Sequence, residues 1–161
     1  MTAKPVHVRT ATLGDYEALV ALFDELDEIH RRARPDFFQA FDGPARSRRQ
    51  IEQWLSQPGS TLLVAERGAD VIGLALLLTR PAQAFAGAVP RKVIELDNLV
   101  VRADQRGWRV GRRLLAAVVD WARRQSATHV EVAVHAFNRD ARRFYENFGF
   151  APSIDRLVLK A

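Results

Sequence analysis

Apolar and polar positions change period along the chain, and the changes divide it into elements. Val6–Thr10 alternates and predicts a short strand. Thr12-Leu13-Gly14-Asp15 has the form of a capping box. The helix it predicts carries Tyr16, Leu19, Val20, Phe23, Leu26 and Ile29 on one stripe and ends near Pro35. Phe37, Phe38 and Phe41 lie in a connection to Gly43-Pro44, followed by a second helix from about Ala45 to Leu55 that turns Ile51, Trp54 and Leu55 inward. Strands Thr61–Glu66 and Val71–Thr79 flank Arg67-Gly68-Ala69-Asp70, a tight hairpin connection, and Pro81 to Pro90 is a loop. Lys92–Val101 is a long strand. Arg109–Arg124 is a helix packed through Val110, Leu114, Leu115, Val118 and Trp121. His129–His135 is a strand, and Asn138–Phe148 is a helix that Gly149 ends. Ile154–Leu159 is expected to close the sheet as a last strand. The order β-α-α-β-β-β-α-β-α-β predicts a mixed α/β (α+β) fold.

Composition narrows the classes. At 161 residues the chain suits one domain, 1–161, with a core large enough to need no staple. It has no cysteine, which excludes thiol nucleophiles and thiolate metal sites. His7, His30 and His129 have no metal-ligand spacing, so no metal is expected. The opening residues lack the apolar stretch of a signal peptide and no run is long enough to span a membrane, so the expectation is a cytoplasmic protein without a membrane partner. The net charge of +5 raises nucleic acid as a partner. The arginines, however, are scattered in groups that read as solvated helix faces, so none is expected.

Chemistry concentrates between Leu99 and Leu115. A strand, a turn and a glycine-bearing loop lead there into a helix start, where unpaired N–H groups and the dipole favour an anion. Arg106, Arg109, Arg112 and Arg113 surround that point with guanidinium forks that suit phosphate. Neither GxGxxG after a first strand nor GxxxxGK[ST] is present.

Arg106-Gly107-Trp108-Arg109-Val110-Gly111 resembles the [R/Q]-x-x-G-x-[G/A] cofactor loop of the GNAT superfamily of acetyl-CoA-dependent N-acetyltransferases, with Arg109 in place of the middle glycine. Downstream, Asn138 to Phe150 is similar to the same family's N-x-x-A-x-x-F-Y-x-x-x-G-F, and Arg9, Ala11 and Asp15 resemble its opening. The resemblance implies a GNAT-like acyl-CoA N-acyltransferase fold, with a mostly antiparallel splayed sheet and helices on both faces. It implies acetyl-CoA as co-substrate and an amine as acceptor. By the same resemblance, Leu99, Val100 and Val101 belong to the strand beside the pantetheine arm. Arg106, Gly107, Trp108, Arg109, Val110, Gly111 and Arg112 form the pyrophosphate loop. Asn138 and Arg142 lie on the cofactor side of the later helix, and Tyr145 sits beside the thioester sulfur as general acid. Glu95 or Asp97, two residues apart on one strand and hence expected on one face, is the candidate base.

Other readings of these residues stay open. Asn138 is also a good helix N-cap, Tyr145 lies on a core stripe with Ala141, Phe144 and Phe148, and the carboxylates suit the polar face of a strand. His135 is either a structural residue or a base or substrate contact. The first two helices, with the Phe37–Phe41 and Pro81–Pro90 loops, are expected to wall the acceptor side. A non-catalytic acyl-CoA sensor and a nucleic-acid-binding domain are the rival functions, and a homodimer is open.

Overall fold

Ile72 to Leu77 is an unbroken apolar run, and in the computed structural model, which describes residues 4–81 and 85–161, all six residues are buried. Such a run suits a strand covered on both faces. It lies within β3 (Asp70–Arg80), the central strand of a sheet ordered β1-β2-β3-β4-β5, with β1 Val6–Thr10, β2 Ser60–Arg67, β4 Val93–Val101 and β5 His129–Val132. The first four strands pair antiparallel, and β5 joins β4 in parallel.

Helices cover both faces. On one side α1 (Tyr16–Ala33) and α2 (Arg48–Ser56) bury Leu19, Leu22, Phe23 and Ile51 against Leu62, Val64, Leu74 and Leu76. On the other, α3 (Val110–Arg124) and α4 (Arg139–Phe148) place Val110, Leu114, Val118 and Tyr145 over Leu63, Ala75, Leu77 and Leu96. The mixed α/β sheet is therefore the one that the element order predicts, and the helices on both faces are those that the resemblance implies.

Local chemistry sets several boundaries. Asp15 accepts the Thr12 N–H at 2.8 Å and holds a 3-10 turn, Leu13–Asp15, ahead of α1. Arg9 on β1 ties that turn to the sheet by pairing with Asp15 and Glu66, each at 2.8 Å. The second helix begins at Arg48 and not near Ala45. Ser47 is extended and its hydroxyl accepts the Gln50 N–H at 3.1 Å, a better N-cap than any side chain at Ala45 provides.

Three expectations need correction. The strand predicted for His129–His135 stops at Val132, because its partner β4 turns away beyond Leu96. The strand predicted for Ile154–Leu159 is not formed: residues 151–161 have no regular secondary structure, and Ile154 and Leu159 are exposed. The Pro81–Pro90 loop falls partly on residues 82–84, outside the described residues. Its described part, Phe85, Val89 and their neighbours, borders a depression by Arg91 and Glu131 away from the cleft described below.

Candidate active site

The site begins with one extra residue in β4. Leu76 pairs with Asn98 and Leu77 with Leu96, so Asp97 is a β-bulge. Strict alternation would put Leu96 and Leu99 on opposite sheet faces; the bulge sends both toward α3. It also bends β4 away from β5, whose ladder pairs only Val93–Leu96 with His129–Val132. A wedge opens beyond that point.

Backbone alternation identifies what lines the wedge. The Val100 carbonyl lies on the β3 side, where it closely approaches Gly73, and the Val100 side chain is buried against α1 and α2. Leu99 and Val101 therefore aim their N–H and C=O groups at the wedge. The Val101 carbonyl accepts from Arg106 Nε at 3.0 Å, leaving the polar groups of Leu99 facing the opening. Among the three residues expected beside the cofactor, Leu99 and Val101 face the wedge and Val100 faces away.

The cleft has a volume of about 430 Å³. Its floor is Glu95 to Leu99; Asn138, Ala141 and Tyr145 form one wall, and Leu26, His30, Phe38 and Phe41 the other. Both candidate carboxylates line it, in unequal states. Glu95 is ion-paired with Arg80, whereas Asp97 is exposed and has no ion-pair partner among the described residues. Tyr145 is only 8% exposed, and burial pushes its hydroxyl up to about 12, so it keeps its proton at neutral pH. Asn138 caps α4: its side-chain carbonyl accepts the Ala141 N–H at 3.1 Å, leaving the amide N–H₂ available to the cleft. Cap and cleft-facing donor are thus compatible roles.

The loop after β4 is held from three directions. Arg102 binds Asp104 at 2.7 Å, and Arg67 on β2 donates to Gln105 while facing the Trp108 ring. Arg106 pairs with Glu25 of α1 at 2.9 Å, so its guanidinium anchors the loop to the neighbouring helix. Gly107 has φ +84°, and Arg109 has φ 60°, ψ 17° in the left-handed region. The resembled motif places its middle glycine where Arg109 stands, and this backbone explains the preference: a Cβ is disfavoured there. α3 starts directly after Arg109, so Val110, Gly111 and Arg112 present N–H groups with no partner in a preceding turn. Gly111 also packs against α4, since a Cβ there would lie 3.2 Å from Phe144 Cζ. Trp108 is exposed, Arg112 lies over the Phe148 ring, and Arg142 pairs with Glu146 at 2.9 Å.

Sequence reasoning missed part of this arrangement. His30 shares an aromatic cluster with Phe38, His135 and Phe137, with ring centroids 5.1 to 5.7 Å apart. His30 Nδ1 contacts the Leu26 carbonyl at 2.8 Å and must carry the proton to donate there. Burial first, then the neighbouring His30 and Arg34, hold the His135 imidazole below its usual range. The Asp97 bulge, Glu25 and Arg67 were not visible either, because each acts through a partner distant in sequence.

The arrangement combines a splayed parallel pair, a helix start with unpartnered N–H groups and a tyrosine lining the wedge. The "Uncharacterized N-acetyltransferase YhfO" of Bacillus subtilis is 27% identical over 145 residues, covering 90% of this chain and 89% of that protein. A solved tetramutant of the BH1408 protein from Bacillus halodurans superposes with a TM-score of 0.90 at 22% identity, covering 96% of this chain and 99% of the other. The aminoglycoside N-acetyltransferase AAC(6')-Iy, solved in complex with CoA, shares the fold with a TM-score of 0.72 at 15% identity, covering 99% and 97% of the two chains. The sequence profile of the Acetyltransferase (GNAT) family matches residues 23–150, and the chain belongs to that family of acetyl-CoA-dependent N-acetyltransferases.

Proposed function

We propose that the cleft catalyses direct transfer of an acetyl group to a primary amine, with Tyr145 as general acid and Asp97 as the group that receives the amine's proton. The observation that supports this reading is the wedge itself, whose cleft is lined by both Leu99 and Tyr145. Acetyl-CoA, when bound, supplies the thioester. The α3 N-terminal amides of Val110, Gly111 and Arg112, with Arg109 beside them, suit its pyrophosphate. The Leu99 backbone and the Asn138 amide suit the pantetheine arm. The Leu99 N–H is positioned to polarise an acyl carbonyl. Tyr145, with its hydroxyl pushed up to about 12, holds a proton for the departing sulfur. Asp97 is preferred over Glu95 because Arg80 already neutralises the latter.

The cleft volume fits a small-molecule amine or the end of a peptide, and the His30, Phe38 and His135 cluster forms the acceptor wall. Nucleic acid is disfavoured because arginines across the surface, including Arg31, Arg34, Arg46, Arg102 and Arg142, are already paired with carboxylates. No helix among the described residues is long and apolar enough to cross a membrane.

The experiment is a panel of amines with thiol detection of released CoA, followed by Tyr145→Phe and Asp97→Asn on the best acceptor. The phenylalanine should lower kcat by about 100- to 10,000-fold, with acetyl-CoA affinity within two-fold, the scale of a lost general acid. Unchanged kcat removes Tyr145 as the acid. Glu95→Gln costing more than Asp97→Asn reverses the assignment of the base, and CoA binding without turnover on any amine would favour a sensor.

A further inference from the structure

The acceptor wall of the cleft has a chemistry of its own. His30 from α1, Phe38 from the connection after it, and His135 and Phe137 from the chain after β5 meet there, with ring centroids 5.1 to 5.7 Å apart. Most of the rings meet edge to face, the arrangement that aromatic quadrupoles favour, and His135 stacks on Phe137. His30, Phe38 and His135 also line the cleft, so the cluster is open toward it. Phe41 lines the same cleft and is 54% exposed, an apolar ring with much of its surface uncovered. Burial lowers the proton affinity of the His135 imidazole, which favours its uncharged form and keeps this wall apolar.

The charges of the cleft select further. Arg31 and Arg46 are the arginines of its lining, and each is already held by a carboxylate, Glu28 at 3.0 Å and Asp27 at 2.9 Å. Glu95 is paired with Arg80. Of the lining carboxylates, Asp97 is the one with no ion-pair partner among the described residues. An acceptor bringing an anionic group therefore meets no arginine without a carboxylate. One bringing a second ammonium meets no second uncompensated carboxylate. A single ammonium beside Asp97, with an uncharged remainder against the rings, leaves no charge unmatched.

We propose that the acceptor is a small primary amine joined by a short alkyl arm to one aromatic ring, the ring lying against Phe38, Phe41 and His135 and the amine reaching Asp97. This rests on the transfer reading given above and narrows it. The ring gains from burial of its apolar surface and from edge-to-face contacts that an aliphatic group of similar size lacks. A cleft of about 430 Å³ that also takes the thioester end suits one ring on a short arm.

Initial rates of CoA release test this, with phenethylamine set against cyclohexylethylamine, butylamine, spermidine and taurine. The kcat/KM for phenethylamine should exceed that for cyclohexylethylamine by about 2- to 10-fold. It should exceed that for butylamine, spermidine and taurine by about tenfold or more. Any of the four used as well as phenethylamine overturns this inference and leaves the transfer reading standing. No CoA release with any amine removes both. A tripeptide beginning with phenylalanine presents the same amine and ring on a chain, and its rate against phenethylamine shows which source the cleft takes.

Two variants report the location. The Phe41 side chain is more than half exposed, so Phe41→Ala should fold as the parent does, checked by its cooperative melt. The phenethylamine-to-butylamine ratio of kcat/KM should fall by about 2- to 10-fold in this variant. Phe38→Leu, which keeps an apolar side chain, should lower the same ratio. A ratio that stays at the parent value in both variants, as a merely structural role for the rings would give, overturns the proposal.

Discussion

Arg109 stands where the family's loop carries glycine, and its backbone is left-handed, at φ 60° and ψ 17°. A Cβ in that region costs roughly 1–2 kcal/mol. Glycine avoids the clash but adds roughly 0.5–1 kcal/mol of unfolded-state entropy. Arg109→Gly and Arg109→Ala both delete the guanidinium, and they differ only in this backbone balance. The glycine variant should therefore be more stable than the alanine variant by about 0.5–1 kcal/mol, which for a domain of this size is a Tm gap of about 1–4 °C. Urea unfolding and thermal melts without ligand measure it. The two variants should lose similar affinity for acetyl-CoA, about five-fold by calorimetry if the exposed guanidinium contributes roughly 1 kcal/mol to the pyrophosphate. An alanine variant as stable as the glycine variant would refute the strain argument. Wild-type affinity in both would place the pyrophosphate away from Arg109.

Other residues give separable outcomes. Asn138→Asp keeps the acceptor for the Ala141 N–H and should keep stability, whereas Asn138→Ala should cost about 1 kcal/mol. Both remove the amide donor and should raise KM for acetyl-CoA by about 2- to 10-fold; a KM effect in the alanine variant alone would assign Asn138 to capping only. Tyr145 is held protonated in the folded state up to about pH 12, while the unfolded chain releases that proton near pH 10. The folded state then binds more protons over this window, so stability should fall by about 1.4 kcal/mol per pH unit as pH rises through it. Tyr145→Phe should flatten that slope in alkaline urea melts. The His135 imidazole is held below its usual range, so on acidification the unfolded chain takes up its proton first and folded stability is lost as pH drops below about 6.5. His135→Gln should lessen this acid sensitivity, and an unchanged pH–stability curve would show that burial of His135 carries no titration cost.

Local pattern and tertiary context divided the site between them. Gly107, Gly111, Asn138 and Gly149 were legible because each serves a backbone geometry or helix position set by a few neighbouring residues, whereas Tyr145 stood out only through the resemblance of its helix to the family's motif. The Asp97 bulge was not legible, because an extra residue is defined only against a partner strand, here Leu76 and Leu77 of β3. Arg106 reads in sequence as a phosphate ligand; Glu25, 81 residues away, makes it a clamp between loop and α1. His30 carried no signal, since its role depends on His135 and Phe38 arriving from other elements.

By itself the sequence determined the order of elements from β1 to α4 and the helix start that suits an anion, because periodicity, capping and glycine placement act within a few residues of one another. Tertiary structure alone decided that β4 and β5 part beyond Leu96, that Glu95 pairs with Arg80 while Asp97 has no ion-pair partner among the described residues, and that Ile154–Leu159 finds no place in its own sheet. Each of these outcomes depends on which strand or side chain lies alongside. A strand needs an edge to pair with, and a carboxylate's charge is compensated only by a cation brought near it by the fold.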